Sequence, residues 1–473
     1  MKPQLAISAL LVIAVGAGCA SAQVRVSSPA TPLPQDWTFP ASFFWGAATS
    51  AHQVEGHNTK NDWWAWEQSQ PPTFQSGQAA DHWNRFEEDF QLAQSLGHTA
   101  HRFSLEWSRI EPEEGRFDRA AIEHYRAVIH SLRSKGMEPI VTLNHFTLPV
   151  WVARQGGWLS DRTPQRFAHY VAHATAELGG EVRYWITLNE PGSYVYQGYM
   201  LGRWPPNEQS LSKAASVLKR QLLGHVLAYE QIKQTYANRG WPEPQVGIAQ
   251  QAVAFSPCSE RSWRDRLSVR LRDQITNQLT LEALTTGRAR YLWLFRVHLP
   301  RAGTLDFIGV NYFTRQFVHT YGLRLPDLTV QSCGGQRPSR LGETNSLSWE
   351  IYSEGLYRIL KELAKYQRPL LVTENGVCTE HDEERAVFLV QHVRAVARAM
   401  HEGVPVIGYL YWSLLDNYEW GEGFGPRFGL IGVDFVTQRR TVRASARLLE
   451  QIIRSRTPDA SISPLAPVKT TSR

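Results

Sequence analysis

Residues 369–376 read Pro369-Leu370-Leu371-Val372-Thr373-Glu374-Asn375-Gly376. A short apolar run, opened by a proline and closed by polar residues and a glycine, has the character of a strand buried on both faces of a parallel sheet. Seven further runs of this kind occur: Phe43–Ala48, Thr99–Trp107, Pro139–Asn144, Arg183–Asn189, Gln245–Phe255, Asp306–Phe313 and Val404–Trp412. The strand proper within the quoted stretch is Pro369–Thr373. Between the runs the spacing is helical. Ala120–Lys135, for example, sets Ile122, Tyr125, Ile129 and Leu132 on one face. Eight strands alternating with helices predict an α/β fold, a single (β/α)8 TIM barrel with long βα loops. A doubly wound open sheet is the alternative. It would carry a glycine-rich phosphate loop after its first strand, and the sequence has none there.

The 473 residues are 42% hydrophobic and 20% charged, ample for a large core. The 17 Trp suit stacking on sugar rings, though a large core uses Trp as readily. The net charge of +6 comes mostly from scattered Arg, with no run of five or six like charges. A nucleic-acid binder shows a clustered basic stripe, so the charge reads as solvated surface and no nucleic-acid partner is expected.

Residues 1–22 read as a signal peptide: Lys2, an apolar stretch Leu5 to Val15, then Ala20-Ser21-Ala22 as a cleavage site before Gln23. The apolar stretch is short for a bilayer span, and no other segment looks transmembrane. A second reading makes Cys19 the lipidated residue of a bacterial lipoprotein, with Gly16 standing where Leu or Val is usual; cleavage after Ala22 is preferred. Either route predicts export, to the periplasm or outside the cell, with a lipid anchor in the second case. Residues 23–36, rich in Ser, Pro and Thr, form a flexible leader, and 457–473 a similar tail. No linker divides 37–456, which reads as one domain. Cys258, Cys333 and Cys378 are odd in number and widely spaced. They make no disulfide framework and no zinc pattern, and leave one optional disulfide. No metal or organic cofactor is expected. Composition leaves the oligomeric state open.

Barrel active sites form at the C-terminal ends of the strands, and polar residues collect there. Arg102 lies in strand two, His145 follows strand three, and Asn189 and Glu190 end strand four. Asn311 lies in strand six, Glu374 ends strand seven, and Glu419 follows strand eight. Two carboxyls flanking an anomeric carbon are what glycoside hydrolysis needs, and Glu190 and Glu374 are the candidates. Pro191 is expected to hold Glu190 extended, and Gly376 to permit a tight turn just after Glu374. A lone Glu at a strand end is as readily a solvated turn residue; two in one mouth with aromatic neighbours favour chemistry. Spacing alone leaves the inverting and retaining mechanisms open.

At these residues the chain resembles glycoside hydrolase family 1, the β-glucosidase family, over roughly Phe39 to Leu449. Five motifs carry the resemblance in order. They are Phe44-Trp45-Gly46-Ala47-Ala48-Thr49-Ser50-Ala51-His52-Gln53-Val54-Glu55-Gly56, Arg102-Phe103-Ser104-Leu105-Glu106-Trp107-Ser108-Arg109-Ile110, Thr187-Leu188-Asn189-Glu190-Pro191, Thr373-Glu374-Asn375-Gly376 and Trp412-Ser413-Leu414-Leu415-Asp416-Asn417-Tyr418-Glu419-Trp420. The resemblance implies a retaining β-glycosidase acting on a small-molecule β-glycoside. Glu374 would be the nucleophile, Glu190 the acid/base, and Arg102 the partner holding Glu374 charged. Asn189 would meet the sugar 2-OH, and Trp412 would form an apolar floor under the ring. Gln53, His145, Asn311, Glu419 and Trp420 would complete the substrate-binding set. Arg102 as an ordinary ion-pair partner, His145 as a buried core histidine and Trp412 as packing are the structural alternatives. A carboxylate at Glu419 accepts hydroxyls and repels phosphate, so an unphosphorylated sugar is expected.

The chain departs from the family pattern at two positions. Phe146 stands where the family usually has Trp, and Phe313 where it usually has a Tyr donating to the nucleophile. Losing that hydroxyl is expected to raise the Glu374 pKa. The long loops 257–300 and 315–350 are expected to shape the aglycone side. Two other functions use the same residues: transglycosylation, which an acceptor assay would separate, and a carbohydrate-binding pseudoenzyme, which the presence of both Glu residues disfavours.

Overall fold

The computed structural model describes residues 33–34, 36–292, 295–320 and 345–458. The expected signal peptide with Cys19, nearly all of the expected leader and most of the expected tail lie outside these residues. Eight strands close a parallel barrel: β1 Phe44–Ala48, β2 Ala100–Ser104, β3 Glu138–Asn144, β4 Tyr184–Asn189, β5 Gln245–Pro257, β6 Phe307–Val318, β7 Leu370–Asn375 and β8 Val406–Trp412. They pair in sequence order around the ring, and β8 closes on β1. The expected strand two is too long: its last residue, Trp107, opens a short helix, Trp107–Ile110. β5 and β6 run past their expected ends because they continue to pair as far as Pro257 and Val318. The helix foreseen over 120–135 spans Arg119–Ser134, with the Asp118 side chain accepting from the N–H groups of Ala120 and Ala121. Among the described residues no helix is long and apolar enough to cross a membrane. Cys258 is disulfide-bonded and Cys378 is free and buried.

Strand periodicity builds the barrel interior in layers. Ala100, Ile140, Phe307 and Leu371 point inward and, with Tyr184, Ile186, Ala249 and Leu410, fill an apolar floor. Two residues further along their strands come Arg102, Thr142 and Thr373; Asn311 is four beyond Phe307. These inward side chains bond to one another as a polar layer above the floor. A larger apolar cluster lies outside the strands, between barrel and helices.

Two register shifts then re-aim the strand ends. β7 is out of step with both neighbours around Thr373, so that Asn311 faces Glu374 and Tyr411 faces Asn375. The bulge turns Glu374 toward the mouth. Asn375, which strict alternation would turn inward, instead bonds the Tyr312 carbonyl and the Tyr409 hydroxyl. β4 slips likewise between Ile186 and Asn189, which brings Asn189 inward.

Gly376 serves a purpose other than the expected turn. Its backbone needs no left-handed conformation, but a Cβ there would lie 1.8 Å from the Trp412 carbonyl oxygen. The glycine lets β7 and β8 approach at the level of the site. Gly376→Ala must push these strand ends apart, at a cost of about 3 kcal/mol. A denaturation midpoint equal to that of the wild type would contradict this packing account.

Candidate active site

Arg102 anchors the polar layer. It is fully buried, and its fork of donors reaches four partners. Nε donates to Thr142 Oγ1 at 3.0 Å and one terminal nitrogen to Asn189 Oδ1 at 2.7 Å. The other terminal nitrogen donates to the Glu374 carboxylate and, at 3.5 Å, to the Thr373 carbonyl. Burying a guanidinium this completely is tolerable only with a charge partner and its hydrogen bonds made; Glu374 is that partner.

Glu190 sits opposite on different terms. Its Oε1 accepts from Asn311 Nδ2 at 2.8 Å and its Oε2 from the Ser193 hydroxyl at 2.6 Å, both neutral donors. The expectation of an extended Glu190 is wrong. Its backbone is left-handed, with φ 42° and ψ 61°. Pro191 disfavours the right-handed helical region for the preceding residue, and the chain turns from strand into helix through the left-handed one instead. The Glu190 N–H is bonded to the Ala249 carbonyl at 2.8 Å and its carbonyl accepts from Ser193 and Tyr194, which holds the strained residue. Phe146 and Trp420 also have positive φ, at 74° and 50°, so three strained residues face one cavity.

That cavity is about 360 Å³ in volume, within the range of small-molecule sites. Glu190, Glu374, Gln53, His145, Asn189, Trp412, Glu419 and Trp420 all line it. Arg102 and Asn311 do not. Asn311 was expected to touch substrate, but it is fully buried beneath the cavity. Its amide hydrogens go to Asn189 Oδ1 and Glu190 Oε1, and its oxygen takes the Thr373 hydroxyl. It braces the two sides of the site.

Gln53 is fixed by Ser50, which donates to its oxygen. Its amide in turn donates to Asn417, the Tyr418 carbonyl and Glu419. The His145 ring stacks between Trp412 and Trp420, with ring centroids 6.0 and 5.9 Å away. Burial, reinforced by the Arg102 charge, keeps His145 neutral. Phe313, Trp349 and Phe428, mutually within 5.9–6.3 Å, pack with Trp412 and also line the cavity. Of the two expected aglycone loops, 315–350 contributes Leu347 and Trp349, whereas no described residue of 257–300 lines the cavity. The segment after Glu190 takes that place with Ser193, Tyr196, Gln197 and Trp204. The signal for Ser193 was in the sequence, three residues past Glu190 at the start of a helix. Tyr196 and Gln197 belong to a π-helical segment, Tyr196–Met200, which no sequence pattern announces.

Burial dominates the electrostatics. It pushes Glu374 up to about 8, with Arg102 opposing and Glu190 adding to the rise. It raises Glu190, with Ser193, Asn311 and Arg102 pulling back. Glu419 also rises to about 8, through burial and the Glu374 charge, against the Gln53 hydrogen bond. All three carboxyls in the cavity are thus raised, Glu374 and Glu419 well above the usual carboxylate range. Among the described residues no three His, Cys, Asp or Glu side chains gather to hold a metal ion.

The sequence pattern of glycosyl hydrolase family 1 matches residues 35–458. β-Glucosidase A of Thermotoga maritima is 32% identical, across 88% of this chain and 98% of its own. A β-galactosidase of Pyrococcus woesei is 30% identical, across 88% and 97%. The solved structure of a β-glycosidase from Pyrococcus horikoshii superposes with a TM-score of 0.81 at 40% identity, covering 89% of this chain and 95% of its own.

Phe313 faces the cavity without a hydroxyl to offer. Phe313→Tyr is expected to add a donor to ionised Glu374, so that its carboxyl titrates at lower pH. The side-chain 13C shift of Glu374 reports this, and an unmoved midpoint would refute the idea that Phe313 helps set this pKa.

Proposed function

We propose that this chain, which belongs to glycosyl hydrolase family 1, is a retaining β-glycosidase that cleaves unphosphorylated β-glucosides or related β-glycosides by double displacement. Family membership makes it a glycoside hydrolase acting on O-glycosyl bonds. The observation that carries the finer reading is the asymmetry of two carboxyls facing one cavity. Glu374 is paired to a buried guanidinium, and Glu190 is held by neutral donors.

The pair titrates as a unit, and its reacting form holds one proton. With that proton on Glu190, its negative charge no longer opposes ionisation of Glu374, and the Arg102 pair then works against burial alone. Glu374 is then the nucleophile. Glu190 protonates the leaving oxygen and afterwards, as a carboxylate, draws a proton from the incoming water. Asn189, held by Arg102 and Asn311, is placed for the 2-OH. Gln53, Glu419 and Trp420 take the remaining hydroxyls, and Trp412 offers its apolar face to the ring. The cavity lining includes four Glu and no Lys or Arg, which suits neutral sugars and disfavours a phosphate.

The pH dependence follows from these directions. Ionised Glu374 is needed, and its raised pKa places the acidic limb of kcat/KM above the usual carboxylate range, with activity lost as pH falls through it. Protonated Glu190 is needed too, so activity falls again as pH rises. Glu374→Gln is expected to lower kcat on nitrophenyl β-glycosides by roughly 10⁴-fold or more. Glu190→Gln is expected to abolish the basic limb on these activated substrates while leaving the acidic one. Ser193→Ala removes a donor to ionised Glu190 and is expected to move the basic limb up by about one pH unit. Full activity in Glu374→Gln, or a basic limb surviving in Glu190→Gln, would overturn the assignment.

A further inference from the structure

The positive charge that reads as scattered along the chain is concentrated in one excursion. Residues 258–301, between β5 and β6, hold nine arginines, no lysine and four acids, a net of +5 where the whole chain carries +6. The excursion folds as a helix, Trp263–Asp273, continued through the π-helical Gln274–Gln278 into Leu279–Thr286. A hairpin, Arg288–Tyr291 with Phe295–His298, follows. The hairpin returns to the segment that continues the first helix, where the Gln274 side chain donates to the Arg290 carbonyl at 3.4 Å.

Arg261, Arg264, Arg266 and Arg270 are exposed at the helix, and Arg288, Arg290 and Arg296 on the hairpin. Arg301 pairs with Glu230; among the described residues these seven have no carboxylate within salt-bridge range. Two of them, Arg290 and Arg296, stand directly opposite across the hairpin, a like-charge pairing that costs stability. Two of the acids are occupied elsewhere. Asp265 is fully buried and accepts from the N–H groups of Ser259 and Thr320, and Asp273 takes the amides of Asn277 and Gln278. Amid this cationic face Trp263 is 56% exposed and Leu267, one helical turn on, 38%.

We propose that this face docks the enzyme on an anionic lipid bilayer. Arginines alone would suit any polyanion, but a polyanion leaves Trp263 and Leu267 in water. A bilayer interface takes both, the cations at the headgroups and the Trp and Leu at the acyl boundary. A second copy of the chain would set this cationic face against its equal. The proposed docking uses surface residues only, and neither Trp263 nor the exposed arginines line the cavity.

The test is co-sedimentation of the full chain with vesicles of phosphatidylglycerol and phosphatidylcholine in equal parts, against phosphatidylcholine alone. Because residues 5–15 are themselves apolar, substitutions rather than bare binding carry the decision. Binding to the anionic vesicles is expected to weaken with salt. It should fall about fivefold for each of Arg264→Ala and Arg270→Ala, and roughly tenfold in Trp263→Ser with Leu267→Ser. Hydrolysis of a soluble nitrophenyl β-glycoside should be unchanged in all of them. Vesicle binding indifferent to these substitutions would overturn the proposal. So would retention on heparin or DNA that Trp263→Ser with Leu267→Ser leaves intact while vesicles fail to bind, which marks a polyanion site. A dimer in solution that the same double substitution dissociates would overturn it in favour of self-association.

Discussion

A guanidinium buried beneath the barrel mouth is the constraint that arranges the site around it. Arg102 has no access to solvent, so its charge must be answered by protein. The answer is the Glu374 carboxylate, with Thr142, Asn189 and a strand carbonyl taking the other donors. Removing one member of such a buried pair strands the other and costs about 3–5 kcal/mol. The bulge in β7 that turns Glu374 inward and the slip in β4 that turns Asn189 inward both serve this contact. The apolar floor beneath excludes water from it.

The same burial supplies the site's chemistry. A cavity that raises Glu190, Glu374 and Glu419 together penalises each added negative charge. One cation beneath the cavity, in contact with Glu374, breaks the symmetry between the two carboxyls Glu190 and Glu374 that line it. Asn311 and Ser193 hold the second carboxyl without supplying charge. Proposed as nucleophile and acid/base, the two carboxyls differ less in depth of burial than in the charge of their donors, which is how one fold gives like groups unlike roles.

The strands and most of the cavity were legible in the sequence because apolar runs with polar ends mark both, although strict period two would turn Glu374 and Asn189 outward and the shifts in β7 and β4 bring them in. An apolar run with a polar residue at its end places that residue at the mouth, as it does for Asn189 and Glu374. What alternation could not show was where it fails. Bulges have no composition signature, so strict period two would have turned Asn375 inward. Pro191 disfavours the right-handed region for Glu190 but leaves both the extended and the left-handed ones, and no residue type at Glu190 separates them. A polar residue near a strand end usually faces the mouth, but the Asn311 side chain stays a layer lower. The arginines of 258–301 read as scattered because no run of like charges joins them in sequence. A helix with a hairpin folded back on it gathers residues far apart in sequence.

The central claim is that Glu374 attacks the anomeric carbon itself rather than activating a water. Proton NMR of the first sugar released from a nitrophenyl β-glucoside, followed before mutarotation, reads this directly. Double displacement predicts that the β-anomer appears first. The α-anomer appearing first would show a single displacement by water, and the account of Arg102 holding a nucleophile would fall with it.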